Sequence, residues 1–185
     1  MGKTGAYEIL LGVTGGIAAY KSADLCSRLV QADHGVTVIM SAHAREFVGK
    51  LTFSALSGRE VYTDMFESPE FYDTRHIDIS RRADLLVIAP ATANFIAKAA
   101  SGICDDLLST VFASRDSDVL IAPAMNQRMW VTPANQRNID TLKKDGCHFI
   151  GPDAGPLACR ETGPGRMTEP EDIMNKISEL LSNRN

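Results

Sequence analysis

The segment Val119-Leu-Ile-Ala-Pro-Ala-Met-Asn-Gln-Arg-Met-Trp130 decides the fold. It begins with a short apolar run that ends at a proline, and then brings an amide, two methionines and the only tryptophan of the chain. Such a run predicts a buried strand of a parallel sheet, where both faces are covered. Because open α/β sheets bind ligands beyond the carboxyl ends of their strands, the residues from Pro123 onward are expected to form a ligand wall. Methionine and tryptophan also fill gaps in cores, which is the alternative interpretation.

Four other short apolar runs repeat this pattern, and amphipathic stretches separate them. The predicted strands are Ile9–Val13, Val36–Met40, Leu85–Ala89, Val119–Ala122 and Cys147–Ile150. The predicted helices are Ile17–Ala32, Ala93–Ala100, Asp105–Ser114, Ala134–Lys144 and Glu171–Leu181. This alternation predicts an α/β fold, a three-layer sandwich in which helices cover a parallel sheet. Without a repeat or a linker in the sequence, residues 1–185 are expected to form a single domain.

Composition argues against several classes of protein. The net charge is −4 and no cluster of lysine and arginine is present, so we expect no nucleic-acid partner. No apolar stretch reaches the roughly 18 residues of a membrane span, and no signal peptide opens the sequence, so we expect a cytoplasmic protein without a membrane partner. The four cysteines are far apart and form no Cys-x-x-Cys pair, which argues against a disulfide framework or a metal site.

Residues 152–167 are rich in glycine and proline and differ from the rest of the chain. We expect them to be irregular, because neither a helix nor a central strand tolerates this composition. Long irregular segments within a compact domain are commonly binding loops or lids. The segment contains Cys159 between Ala158 and Arg160, and Arg166 near its end, so it is predicted to be a lid over the site.

The turn after the first strand, Gly12–Lys21, has the composition of a phosphate-binding loop. Glycines at 15 and 16 let backbone N–H groups approach an anion, and the following helix would direct its positive end toward it. A tight turn without a ligand is equally compatible. The dinucleotide fingerprint Gly-x-Gly-x-x-Gly is out of register, and the second strand ends near Ser41 without an acidic residue, so NAD is disfavoured and the mononucleotide FMN fits better.

A second group of small and polar residues, Ala91-Thr92-Ala93-Asn94, follows the third predicted strand, Leu85–Ala89, and opens a helix. Small side chains there would let a flat ring or a ribityl chain lie against the backbone. The alternative is that Thr92 only caps the helix and Asn94 faces the solvent.

Several separate segments together resemble the homo-oligomeric flavin-containing cysteine decarboxylases over nearly the full length of the chain. The matching segments are Gly15–Lys21, Arg75–Asp78 with His76, Pro90–Asn94, the PxMNxxMW pattern of Pro123–Trp130, and Leu157–Cys159. Thr92 stands where the family commonly has serine, and Phe95 where it commonly has threonine. The resemblance implies a flavodoxin-like (Rossmann-like) fold, trimers often assembled into dodecamers, and FMN bound with the active site at subunit boundaries.

The resemblance also implies a reaction, the FMN-dependent decarboxylation of 4′-phosphopantothenoylcysteine to 4′-phosphopantetheine in coenzyme A biosynthesis. Flavin would oxidise the cysteine to a thioaldehyde, CO₂ would leave, and the resulting enethiol would be reduced again. His76 is expected to act as or to organise the base, Asn126 to hold the substrate carboxylate, and Cys159 to donate a proton in the final reduction. A backbone-bonded histidine at a helix start and an asparagine N-cap are the structural alternatives.

Further site residues are expected from the same resemblance. The residues predicted to contact FMN are Gly15, Gly16, Ile17, Ser41, Phe47, Thr52, Ala91, Thr92, Ala93, Asn94, Ala124 and Met125. Those predicted to contact the substrate are Asn126, Met129, Ala158, Arg160 and Arg166.

Other functions stay open at this point. A decarboxylase of peptides with a C-terminal cysteine would stop at the enethiol and would not need Cys159. A non-catalytic subunit that inhibits a phosphatase shares the fold, and flavin prenyltransferases share the architecture but are expected to lack the segment Pro123–Trp130 together with Cys159. Bacterial relatives are often fused to a synthetase domain, so the chain is expected to be either a monofunctional enzyme or one domain of a bifunctional protein.

Overall fold

The computed structural model describes residues 7–65 and 75–183, without the side chains of residues 75–78. Its centre is a six-stranded sheet of order β3-β2-β1-β4-β5-β6 in which every neighbouring pair is parallel. The strands are β1 Glu8–Val13, β2 Gly35–Met40, β3 Val61–Tyr62, β4 Leu85–Ala91, β5 Asp118–Pro123 and β6 His148–Phe149. This is the Rossmann-like order of a doubly wound sheet, which changes direction between β1 and β4.

Helices cover both faces of this sheet. They are α1 Ala19–Gln31, α2 Lys50–Ser57, α3 Arg75–Arg82, α4 Ala93–Ser101, α5 Leu107–Ala113, α6 Gln127–Trp130, α7 Pro133–Lys144 and α8 Pro170–Ser182, with a short 3₁₀ turn at Ala42–Glu46. Along β1, Leu11 packs into a core with α1, α2 and α8, whereas Leu10 packs into a second core with α4, α5 and α7. Alternate strand residues point to opposite faces, so the two cores and the sheet form the expected three-layer sandwich, which is confirmed.

The glycine- and proline-rich segment is not irregular, and this expectation was wrong. It forms an antiparallel hairpin of β7, Asp153–Pro156, and β8, Thr162–Arg166, apart from the central sheet. Proline has no backbone N–H to donate to a neighbouring strand, so it is excluded from central strands. Each strand of a two-stranded hairpin has one edge without a neighbour, and proline is tolerated where its nitrogen faces that edge. Composition therefore excluded a helix and a central strand correctly, but the irregular loop expected in their place is a hairpin.

Besides the hairpin and the 3₁₀ turn, four short elements were absent from the sequence-based prediction: α2, α3, β3 and α6. The strand β3 has two residues, Val61 and Tyr62, and α6 has four, so neither is long enough to show a periodic pattern. Among the described residues, no helix is both long enough and apolar enough to cross a membrane.

Candidate functional site

A cavity of about 800 Å³ lies at the carboxyl edge of the sheet, where the strand order reverses. One side, which we call the sheet-edge wall, consists of residues 15–18, 92–94 and 124–126, which follow β1, β4 and β5. The opposite side, the hairpin wall, consists of residues 156–159 and 165–167. Crevices at such a switch point are the usual ligand sites of open α/β sheets, as the sequence predicts for Pro123 onward.

The two glycines in the first turn of the sheet-edge wall serve different purposes: one allows close packing against the chain after β2, and the other leaves backbone open to the cavity. A Cβ at Gly15 would lie 2.3 Å from the Cβ of His43 and 2.8 Å from the His43 carbonyl carbon. A Cβ at Gly16 would meet only the Thr92 Cγ2, at an ordinary 3.6 Å. The glycine at 15 is therefore required by the 3₁₀ turn after β2, whereas Gly16 presents open backbone to the cavity.

Thr14 joins the first and second turns of this wall. Its buried Oγ1 donates to the Pro90 carbonyl at 2.6 Å and accepts from the Thr92 N–H at 3.0 Å. Thr92 in turn caps α4, because its Oγ1 accepts from the Phe95 N–H at 3.4 Å. The cap and the cavity-lining position of Thr92 are thus compatible, and the two interpretations of this residue were not exclusive.

Asn126 is both a helix cap and a neighbour of Cys159. Its Oδ1 accepts from the Arg128 N–H at 2.8 Å at the start of α6. Because that bond takes the carbonyl oxygen of the amide, the Nδ2 is left to donate to Cys159 Sγ, at 3.4 Å. The structure therefore brings Asn126 and Cys159 together across the two walls of the cavity, although 33 residues separate them in sequence.

The hairpin wall is held against the sheet-edge wall by close backbone approach. The Met125 N–H donates to the Gly165 carbonyl at 3.0 Å. Gly165 has φ of +137°, and a Cβ there would lie 2.2 Å from the Met125 carbonyl oxygen. A Cβ at Gly163 would overlap the side chain of Gln127. Glycine is therefore required at 165 while the hairpin is docked, whereas a side chain at 163 would require only that Gln127 move.

Charged side chains meet at one end of the cavity. Lys21 Nζ lies 2.8 Å from Glu169 Oε1 and donates to the Met167 carbonyl at 3.2 Å, and the Lys21 side chain is 11% exposed. Arg166 Nη2 lies 3.3 Å from the same carboxylate oxygen. The hydrogen bond from Lys21 is the main reason that the pKa of Glu169 is lowered from its ordinary value. The buried Nε of Arg166 has no hydrogen-bond partner among the described residues.

Most of the predicted site residues line the cavity. These are Gly15, Gly16, Ile17, Thr92, Ala93, Asn94, Ala124, Met125, Asn126, Met129, Ala158, Cys159 and Arg166. The lining also contains eight residues that were not among the predicted site residues: Ala18, Tyr20, Lys21, Pro156, Leu157, Gly165, Met167 and Glu169. An inward-facing lysine in an amphipathic helix carries no sequence signal unless its acidic partner, here 148 residues away, is known.

The other predicted residues do not line the cavity within the described part of the chain. Ser41 caps the 3₁₀ turn by accepting from the Ala44 N–H at 3.3 Å, and Ala91 is buried, its carbonyl accepting from the Ala124 N–H. Phe47, Thr52 and Arg160 are exposed. The side chain of His76, in the first turn of α3, lies outside the described residues.

Comparison with known proteins places this site in a family. The chain is 51% identical over 172 residues to the coenzyme A biosynthesis bifunctional protein CoaBC of Bacillus subtilis, covering 93% of this chain and 42% of that protein. Two solved structures share the fold at 31% identity. A PPC decarboxylase mutant complexed with pantothenoylaminoethenethiol has a TM-score of 0.86, with 96% of this chain and 99% of that chain covered. The FMN-dependent cysteine decarboxylase SpaF has a TM-score of 0.82, with 95% and 97% covered. Residues 2–182 match the profile described as Flavoprotein, and the chain therefore belongs to the flavoprotein family.

Proposed function

We propose that this chain binds FMN in the cavity and decarboxylates 4′-phosphopantothenoylcysteine to 4′-phosphopantetheine, a step of coenzyme A biosynthesis. The observation that carries the proposal is the contact of Asn126 with Cys159 across the cavity. An amide that binds a carboxylate and a thiol that donates a proton are the two groups that loss of CO₂ and a final reduction require. The similar proteins are named as a coenzyme A biosynthesis bifunctional protein and a PPC decarboxylase, which supports the same reaction.

The residues of the cavity fit FMN. The volume of the cavity, about 800 Å³, lies within the range of roughly 300–1,000 Å³ typical of small-molecule sites. The start of α1, where Ala18 supplies no side-chain cap, together with the open backbone of Gly16, would hold the phosphate. Thr92 and Asn94 offer polar groups, and Ala124 offers a small apolar surface. When bound, the flavin would supply the acceptor for the hydride that leaves the β-carbon of the substrate cysteine.

The side chains of this protein would position the substrate and move its protons. Asn126 Nδ2 would donate to the substrate carboxylate without the positive charge that would stabilise the carboxylate before CO₂ leaves. Cys159 would give its thiol proton to the carbon that becomes saturated. His76 remains the proposed base, in the first turn of α3.

The proposal is tested by adding 4′-phosphopantothenoylcysteine to the FMN-loaded protein under anaerobic conditions and measuring CO₂ and the product mass. Wild-type protein should form 4′-phosphopantetheine. Cys159→Ser should still release CO₂ but should accumulate the enethiol, because the proton donor is missing. Wild-type protein that stops at the enethiol would instead indicate a peptidyl-cysteine decarboxylase. A protein that takes up no FMN would refute the proposal and favour the non-catalytic phosphatase-binding function.

We also propose that the chain acts as a cytoplasmic homo-oligomer, a trimer or a dodecamer, as the family resemblance implies. Ile17 and Tyr20 line the cavity and yet are 59% and 61% exposed, and Leu51 on the neighbouring helix α2 is 80% exposed. A second copy would cover these apolar side chains and complete the wall of the site. Light scattering after size-exclusion chromatography tests this, with Leu51→Glu expected to dissociate the assembly and a monomeric wild-type protein contradicting it.

A further inference from the structure

Cys159 contacts the side chains of Asn126 and Glu161. Glu161 was not among the residues predicted for the site from composition or from the family resemblance. We infer that Glu161 orients the thiol proton of Cys159 and returns a proton to the sulfur after each turnover. The inference rests on the proposed function, because it concerns the last proton transfer of that reaction. Glu161 would act only through Cys159, so it is a positioning residue.

The contact is defined by geometry. Cys159 Sγ lies 3.7 Å from Glu161 Oε2, within hydrogen-bond range for sulfur. An ionised carboxylate can only accept hydrogen bonds, so the thiol must be the donor in this pair. The turn that brings the two residues together is closed by the Leu157 N–H, which donates to the Glu161 carbonyl at 2.8 Å.

The carboxylate of Glu161 is itself held in place from helix α6. Gln127 Nε2 donates to the same Oε2 at 3.2 Å, and Arg128 Nη2 lies 3.7 Å from Oε1. The Arg128 side chain is 84% exposed, so water screens its charge and Gln127 is the main anchor. The Glu161 side chain remains 38% exposed, which gives it access to protons from the solvent.

The proton transfers balance without a further reactant. When the substrate carbon is protonated, the S–H bond of Cys159 breaks, a C–H bond forms and a thiolate remains. Glu161, protonated from the solvent, then gives its O–H proton to that thiolate and becomes a carboxylate again. Without Glu161 the thiolate would have to take its proton directly from water, with no neighbouring acid to deliver it.

The test compares Glu161→Gln with wild-type, FMN-loaded protein, and measures CO₂ release and saturated product in the same reaction. Gln keeps the size of the side chain and can still accept from Gln127, but it cannot carry the proton. We expect CO₂ release to change less than about twofold, while saturated product forms on the order of tenfold more slowly and the enethiol accumulates. This loss is smaller than the roughly 100-fold or more expected for removal of a general acid itself.

Two further variants separate a proton relay from a merely structural contact. Glu161→Asp should recover most of the product formation, and Glu161→Ala should be accelerated by added acetate, which can supply the missing acid. Gln127→Ala removes the anchor but keeps the carboxylate, and should have the smaller effect. The inference is overturned if Glu161→Gln forms product at the wild-type rate, if CO₂ and product decline together, or if Gln127→Ala is equally slow.

A measurement that needs neither flavin nor substrate tests the contact itself. Alkylation by iodoacetamide, resolved by mass spectrometry, compares Cys159 with Cys104, which is also exposed and serves as the internal reference. Loss of the neighbouring negative charge should make Cys159 react severalfold faster relative to Cys104 in Glu161→Gln, and not in Glu161→Asp. An unchanged ratio would overturn the inference even if the enzyme is active, whereas wild-type protein that releases no CO₂ would refute the proposed function and leave this comparison valid.

Discussion

The two walls of the cavity are built by different kinds of interaction. The sheet-edge wall continues from strands whose side chains are almost entirely buried, and Thr14 joins its first two turns through a buried hydroxyl. The hairpin wall lies outside both cores apart from Met167 at its end, and its docking depends on the Met125–Gly165 backbone hydrogen bond and a few side-chain contacts.

The difference suggests a division of work between the walls. Groups fixed by core packing are suited to hold a cofactor that stays bound, because their positions are costly to change. A hairpin held by few contacts can separate from its neighbour at low cost, as substrate entry and product release would require. We therefore expect changes in the sheet-edge wall to affect stability and flavin binding, and changes in the hairpin wall to affect turnover.

The largest effect is expected at Gly15. Gly15→Ala would force the turn after β1 away from His43, including its backbone, and should lower the free energy of unfolding by about 3 kcal/mol, the upper end of typical overpacking costs. Flavin affinity should decline with it. Gly16→Ala is the matched control, because its Cβ would make only ordinary contact with Thr92, and should cost less than about 1 kcal/mol. Urea unfolding of both variants would decide, and equal losses of stability would contradict the packing argument; flavin titration of Gly15→Ala measures the effect on affinity.

The next effect is expected at Thr14. Thr14→Val keeps the shape of the side chain but leaves the Thr92 N–H without its acceptor, which should cost about 1–2 kcal/mol. The control is Thr141→Val, whose hydroxyl donates to the Arg137 carbonyl on an exposed helix surface, with an expected cost below about 0.5 kcal/mol. Thermal and urea unfolding measure both, and a Thr14 variant as stable as the control would show that the link between the two turns is unimportant.

The same comparison explains what could be predicted from the sequence. The strands leading to the sheet-edge wall are continuous apolar runs, so their positions, the parallel sheet and the turns that carry Gly16, Thr92 and Asn126 followed from periodicity and from the rule for ligand sites. The predicted strand Leu85–Ala89 extends to Ala91 in the structure, a difference of two residues at its boundary.

The hairpin wall shows where sequence reasoning stopped. Its composition indicated only what it could not be, since short edge strands of glycine and proline have no periodic apolar pattern. Glu161 in a polar loop looks like any solvated charge, and Lys21 in an amphipathic helix looks like a residue that faces the solvent. Their roles depend on Cys159 and Glu169, and the distance between such residues becomes known only when the chain is folded.

A smaller loss of stability, with a larger loss of turnover, is expected at Gly165, where the hairpin docks. Gly165→Ala places a Cβ against the Met125 carbonyl and strains a backbone with φ of +137°, so the hairpin should separate from the sheet-edge wall. Because the hairpin contributes little to the cores, stability should decline by only about 1 kcal/mol. Turnover should decline about tenfold or more while flavin affinity is retained.

Gly155→Ala is the control for this change on the other strand of the hairpin. Its Cβ would come no closer than 3.5 Å to any atom, the nearest being Arg166 Nε, so turnover should stay within about twofold of wild type. Steady-state kinetics and flavin titration measure the two effects separately. Flavin affinity that declines in parallel with turnover in Gly165→Ala would show that the two walls do not act independently.

The smallest effect is expected where the two walls share a charge. The pKa of Glu169 is lowered, mainly by its hydrogen bond from Lys21. The pair therefore stabilises the fold at pH values above 4.5, the ordinary pKa of glutamate. That stability is lost as the pH declines through the lowered value of the folded state. Lys21→Met should therefore cost up to about 1 kcal/mol at pH 7, and the difference from wild type should shrink as the pH approaches 3.

Lys176→Met is a suitable reference for this measurement, because Lys176 pairs with Glu179 at 2.9 Å on a single helix and, within residues 7–65 and 75–183, has no hydrogen bond or ion pair to another element. Its cost should be smaller at pH 7, since the Lys176 side chain is 29% exposed against 11% for Lys21. Urea unfolding of both variants from pH 7 to pH 3 gives the comparison. A Lys21 effect that does not depend on pH would mean that the hydrogen bond from Lys21 Nζ to the Met167 carbonyl, and not the ion pair with Glu169, connects α1 to the chain after β8. The hairpin wall would then be anchored at that end by a hydrogen bond to its backbone, and not by the ion pair with Glu169.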